Sequence, residues 1–461
     1  MSDVTALAAQ VAALQSEIST LKQEVETQKS NYDESLDTLW MLLATMLVFF
    51  MHSGFSLLEA GTVRFKNTQN ILGKNLIVVT LGFLCWYAIG YPLALGLYDN
   101  PNKFNGANNF FHDGFFDDKS KFRVWLFQGA FCATGGTIVS GAMAERTKLK
   151  GFGTFTVLMT SIIYPLVVYW VWSGHGFLNY PEDGKQVSIA GPPMVDFAGS
   201  SVVHMVGGVA ALVGAVIVGP RKGRFVAEES EEFGAHSVPL CVLGTFFLWF
   251  GWYGFNPGST LQMHTKEDGY AAGLVAVNTT LAPCVAGLLV FFLRAKVCPP
   301  RLLDVGGFCN GILGGLVSIT AGCGFVKPWE AIIIGCVGGF VYQGASMLMR
   351  LLRIDDVVDA VAVHGACGLW GLLALGLFGN PKDGLGGYGG FYGKGQMGTQ
   401  LFAAFMIIIW VGGLSSMIML PLRIFGMLRH SDEFQLTGAD VMEHSPPKAY
   451  SQQNKQENAA V

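Results

Sequence analysis

Long apolar runs recur along most of this chain, and they limit its fold more than any other feature. Runs long enough to cross a bilayer, which takes about 20 residues each, return from Leu39 almost to the C-terminal tail. Only 13% of the residues are charged, whereas a soluble domain carries about 25% charged residues. The membrane is therefore the solvent for most of this protein, and we predict an all-α polytopic membrane protein.

The apolar runs divide the chain into three parts. An N-terminal arm occupies residues 1–36, a membrane domain residues 37–422 and a polar tail residues 423–461. Within the membrane domain the sequence predicts about eleven spans. They lie near residues 38–60, 71–97, 122–144, 151–175, 197–219, 237–257, 270–293, 302–325, 330–350, 357–379 and 398–421. Small residues crowd these spans and let helix backbones approach closely in lipid, so we expect one tightly packed bundle.

The charges between the spans predict the orientation. Alternate connections are basic, and the tail begins with Arg423 and Arg429. The positive-inside rule places these segments in the cytoplasm. The other connections are acidic or glycine-rich, as at residues 113–118 and 384–395, so we predict a multi-pass protein with its N-terminus outside and its C-terminus in the cytoplasm. The location that we predict is the plasma membrane. A formal net charge of -4 offers no basic surface for nucleic acid.

The arm carries a heptad repeat over about four heptads. Its a positions are Val4, Val11, Ile18, Val25 and Tyr32, and its d positions are Leu7, Leu14, Leu21 and Gln28. Glutamates at g face lysines at e of a parallel neighbour, so we predict a parallel coiled coil. An amphipathic helix that lies on the membrane is the alternative. The a and d residues alone favour two strands rather than three.

Two histidines lie within spans, where an ionisable side chain is costly and is therefore a functional candidate. His204 follows Asp196 by eight residues in span five, and His364 follows Asp356 by eight residues in span ten. At about 1.5 Å per residue, each lies roughly 12 Å inside its span. Because the two spans enter from opposite faces, both imidazoles reach the same middle layer. This spacing favours a five-plus-five inverted repeat with conduction near the midplane, and two separately satisfied histidines are the alternative.

A second set of residues gathers at the outer end of the bundle. It comprises Phe127, Phe131, Trp172, Phe255 and Ser259. Aromatic faces attract cations, and a serine hydroxyl can accept an N–H from ammonium, which K⁺ cannot donate. Each residue also has a plainer interpretation. Trp172 is typical of an interfacial aromatic belt, Phe127 and Phe131 of helix packing, and the neighbouring Asp196 of a helix N-cap.

Five longer motifs follow one another along the spans. They read GFSLLEAG at 54–61, GAMAER at 141–146, DFAGSSVVH at 196–204, GWYGFNPGS at 251–259 and VHGACG at 363–368. Together they resemble the ammonium transporter (Amt/Mep/Rh) family, and its Amt branch in particular. The resemblance extends from about Asp37 to Tyr450. It implies an eleven-span fold and a homotrimer with one narrow apolar pore in each protomer, and family trimerisation requires three parallel strands in the arm.

The resemblance also implies residue roles. The external ammonium site of the family is similar to Phe131, Trp172 and Ser259, with Phe127 close by. Its stacked phenyl gate is similar to Phe131 and Phe255. Its paired pore histidines are similar to His204 and His364. Asp196 resembles the buried carboxylate required for ammonium conduction, and Thr320 is expected to line the outer vestibule. The tail resembles a regulatory segment that couples subunits and can bind a cytoplasmic regulator, although Ser445 and Pro446-Pro447 depart from the expected Gly-Glu.

These roles predict a mechanism. Ammonium, or its analogue methylammonium, is held at the vestibule and loses a proton, and neutral ammonia then passes the phenyl gate and the histidines. The proton leaves through His204 and His364 or by a water path near Asp196.

The sequence leaves other functions open. An ammonium sensor would bind at the same vestibule and signal through the tail, and a membrane scaffold would use the arm. We expect no catalytic residues, metal or cofactor, because the spans contain no HExxH or GxSxG motif. A dinuclear metal site at His204 and His364 is compatible with their spacing alone.

Overall fold

The structure is a computed structural model that describes residues 2–96, 101–108, 110–112, 118–182, 185–226, 233–382 and 385–450. Part of the predicted acidic connection at 113–118, the first residue of the glycine-rich connection at 384–395 and the end of the tail at 451–461 lie outside the described residues.

Helices make up almost all of the regular structure. The α-helices are α1 (Ser2–Thr62), α2 (Thr68–Cys85), α3 (Tyr91–Leu95), α4 (Lys121–Ala142), α5 (Leu149–Leu158), α6 (Tyr164–Trp172), α7 (Val206–Val218), α8 (Val238–Phe255), α9 (Lys266–Val297), α10 (Val305–Thr320), α11 (Pro328–Leu351), α12 (Cys367–Phe378), α13 (Gln396–Ile424), α14 (Asp432–Thr437) and α15 (Ala439–Glu443). Four π-helical turns join or precede helices, at Trp86–Gly90, Met159–Ile163, Ser200–Met205 and Val361–Ala366. Short 3₁₀ turns lie at Phe65–Asn67, Phe110–His112, Pro257–Thr260 and Gly390–Tyr392. Among the described residues, strands occur only in a small hairpin of β1 (Tyr180–Glu182) and β2 (Lys185–Val187).

The predicted helical membrane fold is confirmed. In the described part of the chain, nine helices are long and apolar enough to cross a membrane, and the shorter apolar helix Val305–Thr320 accompanies them. Each predicted span overlaps a helix of the structure, while the count of eleven spans stays a prediction. The bundle has two ends: an arm side, where α1 enters from the arm, and a tail side, where α13 leads into the tail.

α1 runs unbroken from the arm into the first span. It contains 61 residues, which at about 1.5 Å per residue gives a length of about 90 Å. The heptad positions of the arm are exposed, with Val4 73% and Leu21 52% accessible. Because the helix does not break near Asp37, the arm continues the first span and the interpretation as a helix lying flat on the membrane is disfavoured. The coiled coil itself stays a prediction.

The base of the arm is fastened to α4. Arg123 donates through Nη1 to Oε1 of Glu34 at 2.5 Å and to Oγ1 of Thr38 at 2.6 Å. Arg123 lies four residues before Phe127 and eight before Phe131 on α4, so the three side chains project from one face of the helix. The arm therefore contacts the helix that carries Phe127 and Phe131, two residues of the predicted vestibule.

A second contact fastens the arm base to the connection between α8 and α9. The Asp37 carboxylate accepts from the backbone N–H of Met263 at 2.7 Å and lies 2.8 Å from Nδ1 of His264. Trp40 donates from Nε1 to Oγ1 of Thr260 at 2.9 Å. Thr260 directly follows Ser259, so this contact lies next to another residue of the predicted vestibule.

On the tail side, a buried ion network joins four connections. Glu145 accepts from Arg64 Nε at 2.5 Å and from Arg221 Nη1 at 2.6 Å. Arg221 also pairs with Asp355, Nε to Oδ2 at 2.8 Å, and Arg224 reaches the other oxygen of Asp355 at 3.2 Å. Burial acts to raise the pKa of Glu145, but Arg221 and Arg64 outweigh it and hold that pKa below its ordinary value. The carboxylates in this network are therefore charged.

The tail packs against the start of α2. The Asp440 carboxylate accepts from the backbone N–H groups of Gln69 at 3.0 Å and Asn70 at 3.1 Å, where an anion is favoured by the helix dipole. Pro446, at the predicted departure from the family, accepts through its carbonyl from Gln69 Nε2 at 2.8 Å. These contacts lie within one chain, and coupling to a neighbouring subunit stays a prediction.

Candidate functional site

The two histidines predicted to share a layer face each other in the middle of the bundle. Nδ1 of His204 lies 3.2 Å from Nδ1 of His364, and the rings are stacked with centroids 5.2 Å apart. His204 is fully buried and His364 is 6% exposed. One ring donates its N–H to the lone pair of the other, since a neutral imidazole has one donor and one acceptor nitrogen. The alternative of two separately satisfied histidines is therefore wrong.

The two histidine segments repeat one local geometry. Each histidine lies in a six-residue π-helical turn, Ser200–Met205 or Val361–Ala366. Three residues after the preceding aspartate, the backbone adopts a positive φ, 111° at Gly199 and 59° at Asp359. Asp196 accepts from amides of the first turn, and Asp356 accepts from the amide of Val361 at 2.7 Å. The repeated turn places each imidazole at the same depth from opposite ends.

A close crossing of two helices brings the histidines together. Gly208, in the first turns of α7, lies against Gly365 of the opposite π-helical turn, and a β-carbon built on Gly208 would lie 2.1 Å from the Gly365 backbone nitrogen. No side chain larger than hydrogen fits at that position. The crossing lies four residues beyond His204 and one beyond His364. It therefore sets the distance between the two imidazoles.

A stack of rings leads from the arm side to the histidines. The rings of Phe131 and Phe255 are parallel, with centroids 4.0 Å apart and an interplanar angle of 16°. Phe255 lies 5.3 Å from the ring of His204, and Phe127 lies 4.6 Å from Phe131 on the other side. Phe131 and Phe255 are 1% and 0% exposed. The predicted gate residues are thus in contact, and their rings lie between Phe127 and His204.

Trp172 and Ser259 lie at the arm-side end of this stack. Trp172 meets Phe131 edge to face with centroids 6.1 Å apart. Ser259 donates through Oγ to the carbonyl of Phe255 at 2.8 Å, so its oxygen lone pairs stay available to a donor. Both residues are partly exposed. The structure therefore brings together the predicted vestibule residues around a polar oxygen and aromatic rings.

Asp196 lies beneath the vestibule and contacts backbone. Its Oδ1 accepts from the amides of Gly199 at 2.8 Å and Ser200 at 3.0 Å. Its Oδ2 accepts from the amides of Ser201 at 2.7 Å and Val202 at 3.1 Å. The Ser201 hydroxyl also donates to Oδ2, at 2.6 Å. The side chain is 3% exposed. The structure does not bring this carboxylate to the vestibule surface; it caps the start of the His204 turn. Its backbone carbonyl accepts from Trp172 Nε1 at 2.8 Å, which connects the cap to the vestibule.

Thr320 is also placed away from the vestibule surface. It is fully buried, and its hydroxyl accepts from Trp252 Nε1 at 3.0 Å and donates to the Leu316 carbonyl at 2.7 Å. Trp252 in turn stacks on His204, with centroids 5.1 Å apart. Thr320 therefore supports the ring that packs on His204. Sequence reasoning quoted Trp252 within a motif but gave it no role, although its spacing of three from Phe255 places both on one face of α8.

Within the described residues, no group of three or more His, Cys, Asp or Glu is arranged to hold a metal ion.

The family comparison agrees with the sequence motifs. A profile described as "Ammonium Transporter Family" matches residues 39–450. Among curated relatives, "Ammonium transporter 1 member 3" of Solanum lycopersicum is 35% identical over 94% of this chain and 96% of its own length. "Ammonium transporter 3" of Dictyostelium discoideum is 40% identical over 89% of this chain and 93% of its length.

Solved structures match the fold as well. A chain named "Sensor Amt Protein" superposes with a TM-score of 0.80 at 30% identity, covering 90% of this chain and all of that one. Mep2 of Saccharomyces cerevisiae superposes with a TM-score of 0.73 at 29% identity, covering 86% of this chain and 88% of that one.

Proposed function

The chain belongs to the ammonium transporter family, and from this premise we propose how it carries its substrate: ammonium binds at the arm-side vestibule, loses a proton, and crosses as ammonia past His204 and His364. One observation carries the proposal. The path from Phe131 and Phe255 to the two histidines is a contiguous stack of buried rings. Burying a charge without partners is very costly, so the neutral species is favoured along this path.

The vestibule supports recruitment of the charged form. The ring faces of Phe131 and Trp172 attract a small cation by about 0.5–2 kcal/mol. The hydroxyl of Ser259 adds an acceptor that discriminates by hydrogen bonding, since ammonium donates N–H bonds and K⁺ does not. When ammonium loses a proton, the cation that the vestibule binds becomes neutral ammonia, which can pass the buried rings of the gate.

The histidine pair gives the proton a route as well. Because the Nδ1 atoms share one hydrogen bond, a proton that arrives on one ring can be passed to the other. A second route runs through water near Asp196. A proton that crosses by either route accompanies its ammonia and makes transport electrogenic. Transport is neutral when ammonia crosses and the proton stays outside.

The arm side is proposed to face outward. The tail-side connections carry the basic residues, including Arg221 and Arg224, which the positive-inside rule assigns to the cytoplasm. The plasma membrane is the proposed location. A homotrimer is proposed from the family resemblance. In it, the exposed heptad faces of three arms form a parallel three-stranded coiled coil. The tail is proposed as the place where a cytoplasmic regulator binds.

The decisive experiment measures current from proteoliposomes on a supported membrane after an ammonium pulse, with an equal K⁺ pulse as reference. We expect an ammonium-specific current that is lost when His204 and His364 are both replaced by Ala. The matched control is His175→Ala, because His175 lies in the arm-side connection outside the ring stack. No current but a rise in internal pH identifies neutral ammonia conduction. Unchanged methylammonium uptake in the double variant contradicts the proposed role of the pair.

An ammonium sensor is the second candidate, favoured by the likeness to the chain named "Sensor Amt Protein". A sensor would use the same vestibule but signal through the tail. Removal of residues 432–461 distinguishes the two, because a transporter with an independent pore keeps its uptake. If the intact protein binds ammonium but shows neither a current nor ammonia entry, the sensor becomes the favoured function.

A further inference from the structure

The connection between α8 and α9, residues 256–265, carries Ser259 on a tight bend. The bend begins with the 3₁₀ turn Pro257–Thr260, in which the N–H of Ser259 donates to the carbonyl of Asn256 at 3.0 Å. Leu261 follows with a φ of 64°, in the left-handed region that residues other than glycine seldom adopt. Such a conformation persists only where surrounding contacts fix it. Contacts from outside the bend therefore hold this connection in place.

The backbone beside Ser259 lies against the first membrane helix. A β-carbon built on Gly258 would lie 2.4 Å from the β-carbon of Ala44 on α1 and 3.4 Å from the ring of Phe127. Only glycine permits this approach. The bend therefore touches α1 on one side and a ring of the predicted vestibule on the other, so its seat on α1 determines where Ser259 lies relative to that ring.

Trp40 of α1 fastens the bend next to Ser259. Its Nε1 donates to Oγ1 of Thr260 at 2.9 Å. The Thr260 hydroxyl in turn has two acceptors within reach, the carbonyl of Pro257 at 3.0 Å and the carbonyl of Gln262 at 3.1 Å. These carbonyls lie on either side of the strained Leu261. The indole of Trp40 therefore joins both halves of the bend to α1.

Asp37 fastens the far end of the same connection. Its side chain is 8% exposed, accepts from the backbone N–H of Met263 at 2.7 Å and lies 2.8 Å from Nδ1 of His264. Asp37 precedes Trp40 by three residues, so both side chains project from one face of α1. Together they hold the connection before and after Leu261, at the point where the arm enters the membrane domain.

The contact between Asp37 and His264 depends on charge. The charged side chains near this imidazole on α1 and at the start of α9 are Asp33, Asp37, Lys266, Glu267 and Asp268. Most of them are acidic, and the hydrogen bond with Asp37 is the main cause that raises the pKa of His264 above 6.5. The charged contact is therefore fully present below about pH 6.5 and is lost as the outer pH rises through the raised pKa.

We propose that Asp37 and Trp40 are positioning residues for the vestibule, which hold the hydroxyl of Ser259 beside the aromatic rings through the connection between α8 and α9. The inference rests on the proposed recruitment of ammonium at Ser259. Neither residue contacts the substrate in this role. Protonated His264 tightens the hold, so the arm base makes recruitment at the vestibule strongest at low outer pH.

The test measures initial rates of methylammonium uptake in proteoliposomes whose arm side faces outward. Trp40→Phe and Asp37→Asn are each expected to raise the half-saturating concentration about fivefold at an unchanged maximal rate, which corresponds to the loss of about one hydrogen bond. Asp37→Glu, which keeps the charge, should restore part of the affinity. An unchanged half-saturating concentration in both variants, or a fall in the maximal rate alone, overturns the positioning role.

A double-mutant cycle separates positioning from a general loss of structure. In the background of Ser259→Ala, neither Asp37→Asn nor Trp40→Phe should change the half-saturating concentration further, because the hydroxyl that they position is absent. Residues that act through a shared partner show this coupling, whereas independent sites are additive. Fold-changes that multiply in the double variants therefore overturn the proposal.

Two matched controls remove the same groups elsewhere. Asp118 is an exposed carboxylate on the arm side that contacts Ser120 at 2.5 Å, and Trp370 donates from Nε1 to the carbonyl of Ile334 at 3.0 Å. Asp118→Asn and Trp370→Phe should keep the half-saturating concentration of the intact protein. If the intact protein takes up no methylammonium and conducts no ammonia, the proposed function fails. If it transports and the double-mutant cycle is additive, only the positioning role fails.

A series of outer pH values tests the part played by His264. Between about pH 5 and about pH 8, where histidines titrate, methylammonium stays protonated, and the half-saturating concentration of the intact protein should rise with pH. His264→Gln keeps a donor but does not titrate, so its profile should be flat. A flat profile in the intact protein, or a rise that persists in His264→Gln, overturns the role of His264.

Discussion

Gly208 and Gly365 touch backbone to backbone at the centre of the bundle, where a β-carbon on Gly208 would lie 2.1 Å from the Gly365 nitrogen. This crossing lies four residues from His204 and one residue from His364. The 3.2 Å separation of their Nδ1 atoms therefore depends on two residues that have no side chain.

Replacement of Gly208 by Ala should separate the histidines. Overpacking in a dense interior costs about 1–3 kcal/mol, and here the clash is with backbone, which cannot rotate away. We expect a lower melting temperature in detergent and little ammonium uptake. The control is Gly413→Ala in α13, because a β-carbon there meets nothing within 4 Å. Uptake at the intact level in Gly208→Ala would show that the pair tolerates a wider crossing.

Asp196→Asn should weaken the turn that carries His204. The carboxylate accepts five hydrogen bonds, and an amide group offers only one acceptor oxygen. Each buried donor left without a partner costs about 1–3 kcal/mol. We expect loss of ammonium uptake together with a lower melting temperature. Loss of uptake at unchanged melting temperature would instead indicate that the charge of Asp196 acts directly on the substrate.

The histidines and their neighbours show how far sequence reasoning reached. The depth of His204 and His364 followed from residue counts, because a helix rises by a fixed amount per residue, and the structure confirms that they meet. The direction in which a side chain points does not follow from a count. Asp196 accepts from amides three to six residues ahead, as its N-cap interpretation predicts, whereas Thr320 contacts Trp252, which lies on a helix distant in sequence.

Thr320→Val should reduce transport without abolishing it. Valine keeps the shape but leaves the buried Nε1 of Trp252 without an acceptor, which costs about 1–3 kcal/mol. Trp252 then loses its fixed position against His204, so we expect slower methylammonium uptake by a protein that still folds. Thr156→Val is the matched control, because that buried hydroxyl donates only to Phe152 of its own helix at 3.0 Å. Equal effects of both substitutions would remove the role given to Trp252.

Glu145→Gln should destabilise the tail side in a pH-dependent way. Breaking a buried ion pair costs about 3–5 kcal/mol, here because Arg64 and Arg221 lose a shared carboxylate. The pKa of Glu145 lies below its ordinary value of 4.5. Its contribution is therefore present above about pH 4.5 and is lost as the pH falls through the folded pKa. Melting temperatures measured from pH 7 downward should fall less steeply in Glu145→Gln than in the intact protein.

An exposed glutamate provides the reference for that series. Glu433, at the start of α14, is exposed, so Glu433→Gln should follow the pH profile of the intact protein. Coinciding profiles for the intact protein and Glu145→Gln would mean that the network does not determine acid stability.

The arm base should respond to pH in the opposite sense. The hydrogen bond with Asp37 raises the pKa of His264 above 6.5, and the charges of Asp33 and Asp268 act in the same direction. The charged contact is therefore fully present below about pH 6.5 and is lost as the pH rises through the raised pKa. NMR titration of labelled histidines should show the pKa of His264 fall in Asp37→Asn. A value unaffected by that substitution would contradict the contact.

Because α1 has no joint, the arm and the first span cannot turn independently. Leu47 and Met51 of the span fill the space left by Gly254 and Gly251 on α8, where added β-carbons would lie 2.4 and 2.3 Å from them. Phe255 of the gate follows directly on the same helix. A rotation of the arm about its own axis would therefore be transmitted through Leu47 and Met51 to α8, the helix that carries Phe255.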